Sequence, residues 1–548
     1  MRKFTISLAM LLAVAAIAVA KKSHDMALQR NLKTFNQMVK TLEQNYVDSI
    51  RIDDAFKAAS RAMLNTVDPY TEYYTADERD NLLKMTTGEY AGIGSYITEY
   101  DGYVCISQPM DGSPAARAGL MPGDRIIKVD SIVTKGKKNA EVSKLLKGVP
   151  GTDVYVEVNR PYTADSIKSF VITREKVKEN SVPYFGMVSP STGYIRLTQY
   201  ITDSPKEMTN ALDSLCRNPG FANLILDLRG NGGGLVESAI EILGNFLPKG
   251  TPVLSTKGKD IERVYKTTVK PRLENMPLAV LIDGGTASAS EITAGALQDL
   301  DRAVLVGNRS FGKGLVQTTF PLPHDALLKV TVSKYYIPSG RLIQALDYSR
   351  RNEDGSVART PDSLTNVYLT TRGREVRDGG GLQPDSVVKG ITYSDILYNL
   401  VAKNKIFDYA NKYRAEHPDA PGFAAEVVSD EVYAEFSKFV EDSDMKYDTS
   451  FDALLKELRK QADDQGYMSE FNDSTLKVLE KSLGSDLPRD LNLKKDEIRS
   501  YLEEEIATRY FGDRGRVAVA IKSDPAVAKA VEIVESPVYG EILKLKSK

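Results

Sequence analysis

Leu278-Ala279-Val280-Leu281-Ile282-Asp283-Gly284-Gly285-Thr286-Ala287-Ser288-Ala289-Ser290-Glu291-Ile292 reads as an apolar strand that ends in glycines and small residues and passes at once into a helix. A serine on such a turn holds its hydroxyl at a helix N-terminus, where free N–H groups can bind an oxyanion. The run Ser288-Ala289-Ser290-Glu291 also fits a capping box, with Ser288 as a plain helix cap, and spacing alone favours the cap.

Outward from this stretch, apolar strands alternate with helices from about Val182 to Lys389. Strands are expected at Gly193 to Leu197, Asn223 to Leu228, Leu278 to Ile282, Ala303 to Val306 and Leu327 to Tyr336. Helices fit Pro205 to Leu215, Leu235 to Phe246 and Glu291 to Leu300, and the alternation predicts an α/β layer fold. Upstream, short glycine-punctuated runs (Gly92 to Ile97, Tyr103 to Ile106, Arg125 to Val129, Val154 to Val158) form a compact strand-rich module. Residues 24 to about 85 have helical spacing, with a second helix from Ile52 to Leu64 stopped at Asp68-Pro69. Residues 345 to 380 are polar and turn-rich, and beyond Ile391 the chain is mostly amphipathic helix. The expected boundaries are 1–20 export segment, 24–85 helical domain, 86–175 strand-rich domain, 181–390 α/β core and 391–548 helical extension.

At 548 residues the chain exceeds one ordinary core. With 72 basic against 74 acidic residues it has no global positive field, so nucleic acid is not expected as a partner. Met1-Arg2-Lys3 followed by apolar Phe4 to Ala20, ending Ala18-Val19-Ala20, reads as a secretory signal. Cleavage after Ala20 and retention as a membrane anchor both stay open; either predicts an exported protein of the bacterial periplasm or cell envelope. Cys105 and Cys216 fall in different domains and are expected to be buried thiols.

His24, His324 and His417 are the chain's three histidines, too scattered for a histidine zinc site, and no metal is expected. Only His324 could serve a serine as base, so a hydroxyl nucleophile calls for another partner, and lysine is the usual substitute. Ser310-Phe311-Gly312-Lys313-Gly314-Leu315-Val316-Gln317 sets a lysine between glycines beside an apolar strand. Burial can lower such a pKa enough to make a base; the bland alternative is a solvated loop lysine. Leu226-Asp227-Leu228-Arg229-Gly230-Asn231-Gly232-Gly233-Gly234 is a strand entering a glycine loop whose N–H groups can approach developing negative charge; it lacks the ending of a P-loop.

These motifs, with Gly295-Ala296-Leu297-Gln298-Asp299, Tyr336-Ile337-Pro338-Ser339-Gly340-Arg341 and Gly380-Gly381-Leu382-Gln383-Pro384-Asp385, occur in the order found in the carboxy-terminal processing peptidases, which the chain resembles over roughly residues 30 to 390. The resemblance implies a multidomain α+β protein: an α/β (ClpP/crotonase-like) protease core with an inserted PDZ domain, a helical N-terminal segment and a helical C-terminal extension. It implies that Ser288 attacks the scissile carbonyl, Lys313 takes its proton and Gln317 orients the lysine. The N–H groups of Ala289 and Gly234 would form the oxyanion hole, with Gly233 as the alternative. Tyr90-Ala91-Gly92-Ile93-Gly94 would be the PDZ carboxylate loop, with the peptide added as a strand. The implied partners are protein or peptide substrates with free C-termini and, through the N-terminal helices, a second copy of the chain. No cofactor is implied. The rival readings are a non-catalytic PDZ scaffold and a thioester-handling acyl enzyme of related fold.

Overall fold

In this computed structural model the described residues are 25–79, 82, 86–259, 261–348, 350–352 and 354–545. The expected export segment and His24 lie outside them. The chain divides into two compact units: one runs to Ala76 and includes Gln317–Thr331, and the other comprises Asp77–Val316 and Val332 onward.

In the first unit a helix over residues 25–45 precedes the helix Ile52–Asn65, and the Phe35 and Phe56 rings meet edge to face at 5.8 Å. Asp68 Oδ1 accepts the N–H groups of Tyr70 at 2.8 Å and Thr71 at 2.7 Å, a side-chain turn that redirects the chain. The strand Glu72–Tyr74 follows and pairs antiparallel with Leu327–Lys329. The helical expectation for residues 24–85 therefore missed a strand. Three residues are too few to display a period of two.

The second unit opens with a five-strand antiparallel order: Ser95–Tyr100, Tyr103–Pro109, Arg125–Val129, Asp153–Asn159 and Ile167–Thr173. Val154, Val156 and Val158 point to one face, as the strand's period of two requires, and pack on Val104, Ile106 and Ile126. Ser95–Tyr100 stands at the end of this order, beside the helix Asn139–Leu146.

The α/β core has the order Tyr184–Met187, Thr192–Arg196, Asn223–Asp227, Leu278–Ile282, Val304–Gly307 and Ser386–Val387. All neighbours pair parallel except the first two. Asn223–Asp227 and Leu278–Ile282 are buried at every position, so both faces of the sheet need a cover. Helices Ser204–Leu215, Val236–Leu243 and Ala289–Asp299 supply one, over Leu224, Leu226, Val280 and Ile282. The C-terminal segment supplies the other: Ala518, Ile521, Val527, Ala530 and Ile533 pack on Tyr194, Ile225, Ala279, Leu281 and Val306. A separate helical core around Tyr409, Phe436 and Leu502 completes that segment. The strand Pro252–Gly258, paired with Glu262–Lys266 and with Ser333–Tyr336, was not anticipated. Both cysteines are free; Cys105 is buried, but Cys216 is exposed because it follows the last turn of its helix, past the buried Leu212 and Leu215.

Candidate active site

Three adjacent parallel strands end at one edge of the core, and each releases one of the motifs singled out above. Asn223–Asp227 leads into the glycine loop, Leu278–Ile282 into the Ser288 turn, and Val304–Gly307 into the Lys313 segment. The carboxyl ends of parallel strands are where open α/β sheets form their crevices.

Hydrogen bonds lock the first two loops together. Asp283 Oδ1 accepts the N–H groups of Gly230 and Gly285 at 2.9 Å and of Thr286 at 3.1 Å. Thr286 Oγ1 donates to the Leu228 carbonyl at 2.9 Å. The Asn231 carbonyl accepts both the Ala287 N–H at 3.0 Å and the Ser290 hydroxyl at 2.9 Å. Ser290 is thus fully buried and occupied structurally, whereas Ser288 is partly exposed.

Ser288 precedes the helix Ala289–Asp299 with φ 56° and ψ −115°, which is not the extended backbone of an ordinary helix cap. A non-glycine residue held there is strained, and such strain clusters at functional sites. Gly233 presses against it: at φ 98°, a Cβ on this residue would stand 2.7 Å from the Ala287 oxygen, 2.8 Å from the Ala289 nitrogen and 2.9 Å from the Ser288 Cβ. The Gly233 N–H donates to Asn231 Oδ1 at 2.9 Å, so of the two glycines left open it is the committed one. Among the described residues neither the Gly234 nor the Ala289 N–H donates a hydrogen bond.

Glu291 joins the turn to the lysine segment. Fully buried, it accepts the Ser288 N–H at 2.9 Å and the Lys313 N–H at 2.8 Å on Oε2, and the Gly312 N–H at 2.7 Å and the Ser310 hydroxyl at 2.5 Å on Oε1. Burial pushes its carboxyl above the ordinary range, against the pull of these four donors. Tyr335, also buried, donates its hydroxyl to the Ser288 carbonyl at 3.2 Å. Sequence reasoning saw Glu291 only as half of a capping box and missed Tyr335 and Asn231.

Behind the glycine loop, buried Asp227 meets Arg229 at 2.6 Å, Arg196 at 2.9 Å and the Tyr194 hydroxyl at 2.6 Å. Burial opposes its ionisation, but the two guanidiniums outweigh it and hold the carboxyl down at about 2. Gln317 belongs to the first unit, where its Nε2 donates to Thr331 Oγ1 at 3.1 Å. His324 occupies an exposed turn of that unit, and His417 is exposed in the second.

In the strand-rich module, Tyr90, Ala91 and Gly92 lie in the strand Glu89–Gly92, which pairs with Glu175–Lys178. Ile93 and Gly94 connect it to the edge strand, and their carbonyls accept the Ala115 N–H at 2.8 Å and the Met110 N–H at 3.0 Å. Among the described residues the N–H groups of Ile93 and Gly94 donate to nothing. Burial raises the Tyr90 phenol to about 12, keeping it neutral.

Residues 191–348 match peptidase family S41, residues 105–160 match the PDZ domain, and residues 396–534 match the C-terminal helical domain of a probable PDZ-protease. The chain is 34% identical over 322 residues to the carboxy-terminal-processing protease of Bartonella bacilliformis, covering 58% of this chain and 73% of that one. It is also 34% identical over 318 residues to a probable CtpA-like serine protease of Staphylococcus aureus, covering 58% of this chain and 63% of the relative. Among solved structures, a photosystem II D1 C-terminal processing protease is 26% identical, with 65% of this chain and 92% of that one covered and a TM-score of 0.35. The peptide-bound PDZ domain of a carboxy-terminal protease from Vibrio cholerae is 32% identical, covering 17% of this chain and 99% of the domain, with a TM-score of 0.16.

Proposed function

The chain belongs to peptidase family S41 and is a carboxy-terminal-processing serine protease with a PDZ domain, and from that premise we propose that Ser288 is its nucleophile and Lys313 its general base. The observation that carries the reading is the strained Ser288 turn, tied through Glu291 to the lysine segment and flanked by the unbonded N–H groups of Gly234 and Ala289.

In the proposed cycle the neutral Lys313 amine takes the Ser288 hydroxyl proton as Oγ attacks the scissile carbonyl. The developing oxyanion receives the N–H groups of Ala289 and Gly234, fixed donors in a sheltered site. The lysine then protonates the departing amine, leaving an acyl-enzyme on Ser288. Water, deprotonated by the same lysine, attacks the ester and releases the new C-terminus. Gln317 enters from the family resemblance, as the side chain that orients the lysine.

The PDZ domain presents the substrate tail. Support comes from the free N–H groups of Ile93 and Gly94 beside the edge strand Ser95–Tyr100, which suit a terminal carboxylate and an added strand. The substrates are exported proteins, following the secretory character of residues 1–20.

Casein digestion tests the chemistry. Wild type is expected to cleave, and Ser288→Ala or Lys313→Ala to lose on the order of 10⁴-fold or more in kcat with melting unchanged. Substantial turnover by either variant would overturn the assignment.

A further inference from the structure

We propose that Glu291 is a positioning residue for the reaction: its carboxylate fixes the backbones of Ser288 and Lys313 relative to each other and so sets the reach between hydroxyl and amine. The inference rests on the Ser288–Lys313 reading above and adds to it.

A capping glutamate at this helix position normally reaches back to one N–H, that of the cap residue. Glu291 makes that bond to Ser288 and then three more to a segment 19 to 22 residues later: the Ser310 hydroxyl, the Gly312 N–H and the Lys313 N–H. Helix capping asks for none of these three. An ionised carboxylate offers about four acceptor positions on two oxygens, and here four donors fill them. Burial pushes this carboxyl up while the four donors pull the other way, favouring the anion. A buried carboxyl whose acceptor positions are filled by the two segments that carry nucleophile and base does more than start a helix.

The surroundings make the brace stiff. Gly312 takes φ 89°, and a Cβ there would stand 2.5 Å from the Ala345 Cβ, so only glycine lets the segment lie this close to that wall. Tyr335 grips the Ser288 carbonyl from the other side. The Tyr335 phenol faces Glu291, and burial and this carboxylate both push it up.

Glu291→Gln tests the proposal. The amide keeps one acceptor oxygen and turns an NH₂ toward two donors, so the frame slackens. The expected result is a kcat lower by roughly 10²-fold with KM for a tail peptide unchanged. A purely structural glutamate would lower the melting temperature and the fraction titratable by a serine-reactive phosphonate, yet leave kcat per titrated site unchanged. Wild-type kcat per titrated site sinks the proposal. If the variant does not fold, Ser310→Ala removes a single donor from the same carboxylate. It should lower kcat severalfold at constant KM, and an unchanged kcat there is equally fatal. Ser288→Ala run in parallel separates the failures: activity in that protein sinks the serine reading itself, whereas an inert Ser288→Ala beside a fully active Glu291→Gln sinks only the brace.

Discussion

At Ser288 the helix-cap position and an unusual backbone coincide: Glu291 accepts its N–H as in a capping box, yet φ is 56° rather than extended, and Gly233 packs against its Cβ. Gly233→Ala therefore adds a methyl group with no room and an unfavourable positive φ of 98°. Peptide hydrolysis should fall by roughly 10²-fold in kcat, since a misplacement of about 1 Å has that effect. Binding of a tail peptide to the PDZ domain, followed by fluorescence anisotropy, should not change; an equal loss in both would mean general disruption. At this scale the strand ends that lead into the glycine loop, the Ser288 turn and the Lys313 segment were legible because small residues follow apolar strands in recognisable runs. Tyr335 and the further donors to Glu291 were not, because nothing local marks a contact made across 19 to 47 residues of sequence.

Among the elements, the edge strand Ser95–Tyr100 lies beside the helix Asn139–Leu146, and a substrate tail would add as a strand along that edge. If the N–H groups of Ile93 and Gly94 receive the terminal carboxylate, capping a substrate peptide as its C-terminal amide should raise KM about tenfold or more, as loss of a charge-assisted hydrogen bond implies, with kcat nearly constant. Steady-state kinetics on the acid and amide pair decide it, and equal KM values would remove the loop from tail recognition. The strands of this module were readable from their alternation, as in Val154, Val156 and Val158. The hairpin arm Glu262–Lys266 was not, because its side chains are mostly exposed and charged and leave no apolar period to detect. Tyr90, expected in the carboxylate loop, instead sits within a paired strand, and Ile93 and Gly94 form the connection to the edge strand.

For the whole molecule, the uninterrupted burial of Asn223–Asp227 and Leu278–Ile282 already demanded a layer on each face of the sheet, and the helices between strands could supply only one. The C-terminal extension read as amphipathic helix, but amphipathicity says that a face is buried and not against what. Its packing on Ile225, Ala279 and Leu281 answers that question and makes it part of the protease unit. Where it meets the core, a cavity of about 540 Å³ is lined by Arg196, Arg229, Tyr393, Glu504, Arg516 and Asp524, among others. Asp524 pairs with Arg229 there at 2.7 Å, linking the extension to the strand end behind the glycine loop. Burial raises the Glu504 carboxyl to about 7, with Arg516 opposing and Glu505 and Asp524 reinforcing the shift. A carboxyl whose folded pKa exceeds its unfolded value of 4.5 binds more protons folded than unfolded in between. Its contribution to stability is therefore full below about pH 4.5 and is lost as pH rises through about 7. Glu504→Gln should abolish that component: the variant gains on wild type in melting temperature as pH rises from about 5 to about 7, and holds that gain at pH 8, where it exceeds wild type. A difference between the two curves that stays flat across this range would mean that Glu504 is ionised throughout, and that the junction between extension and core is wetter than its packing implies.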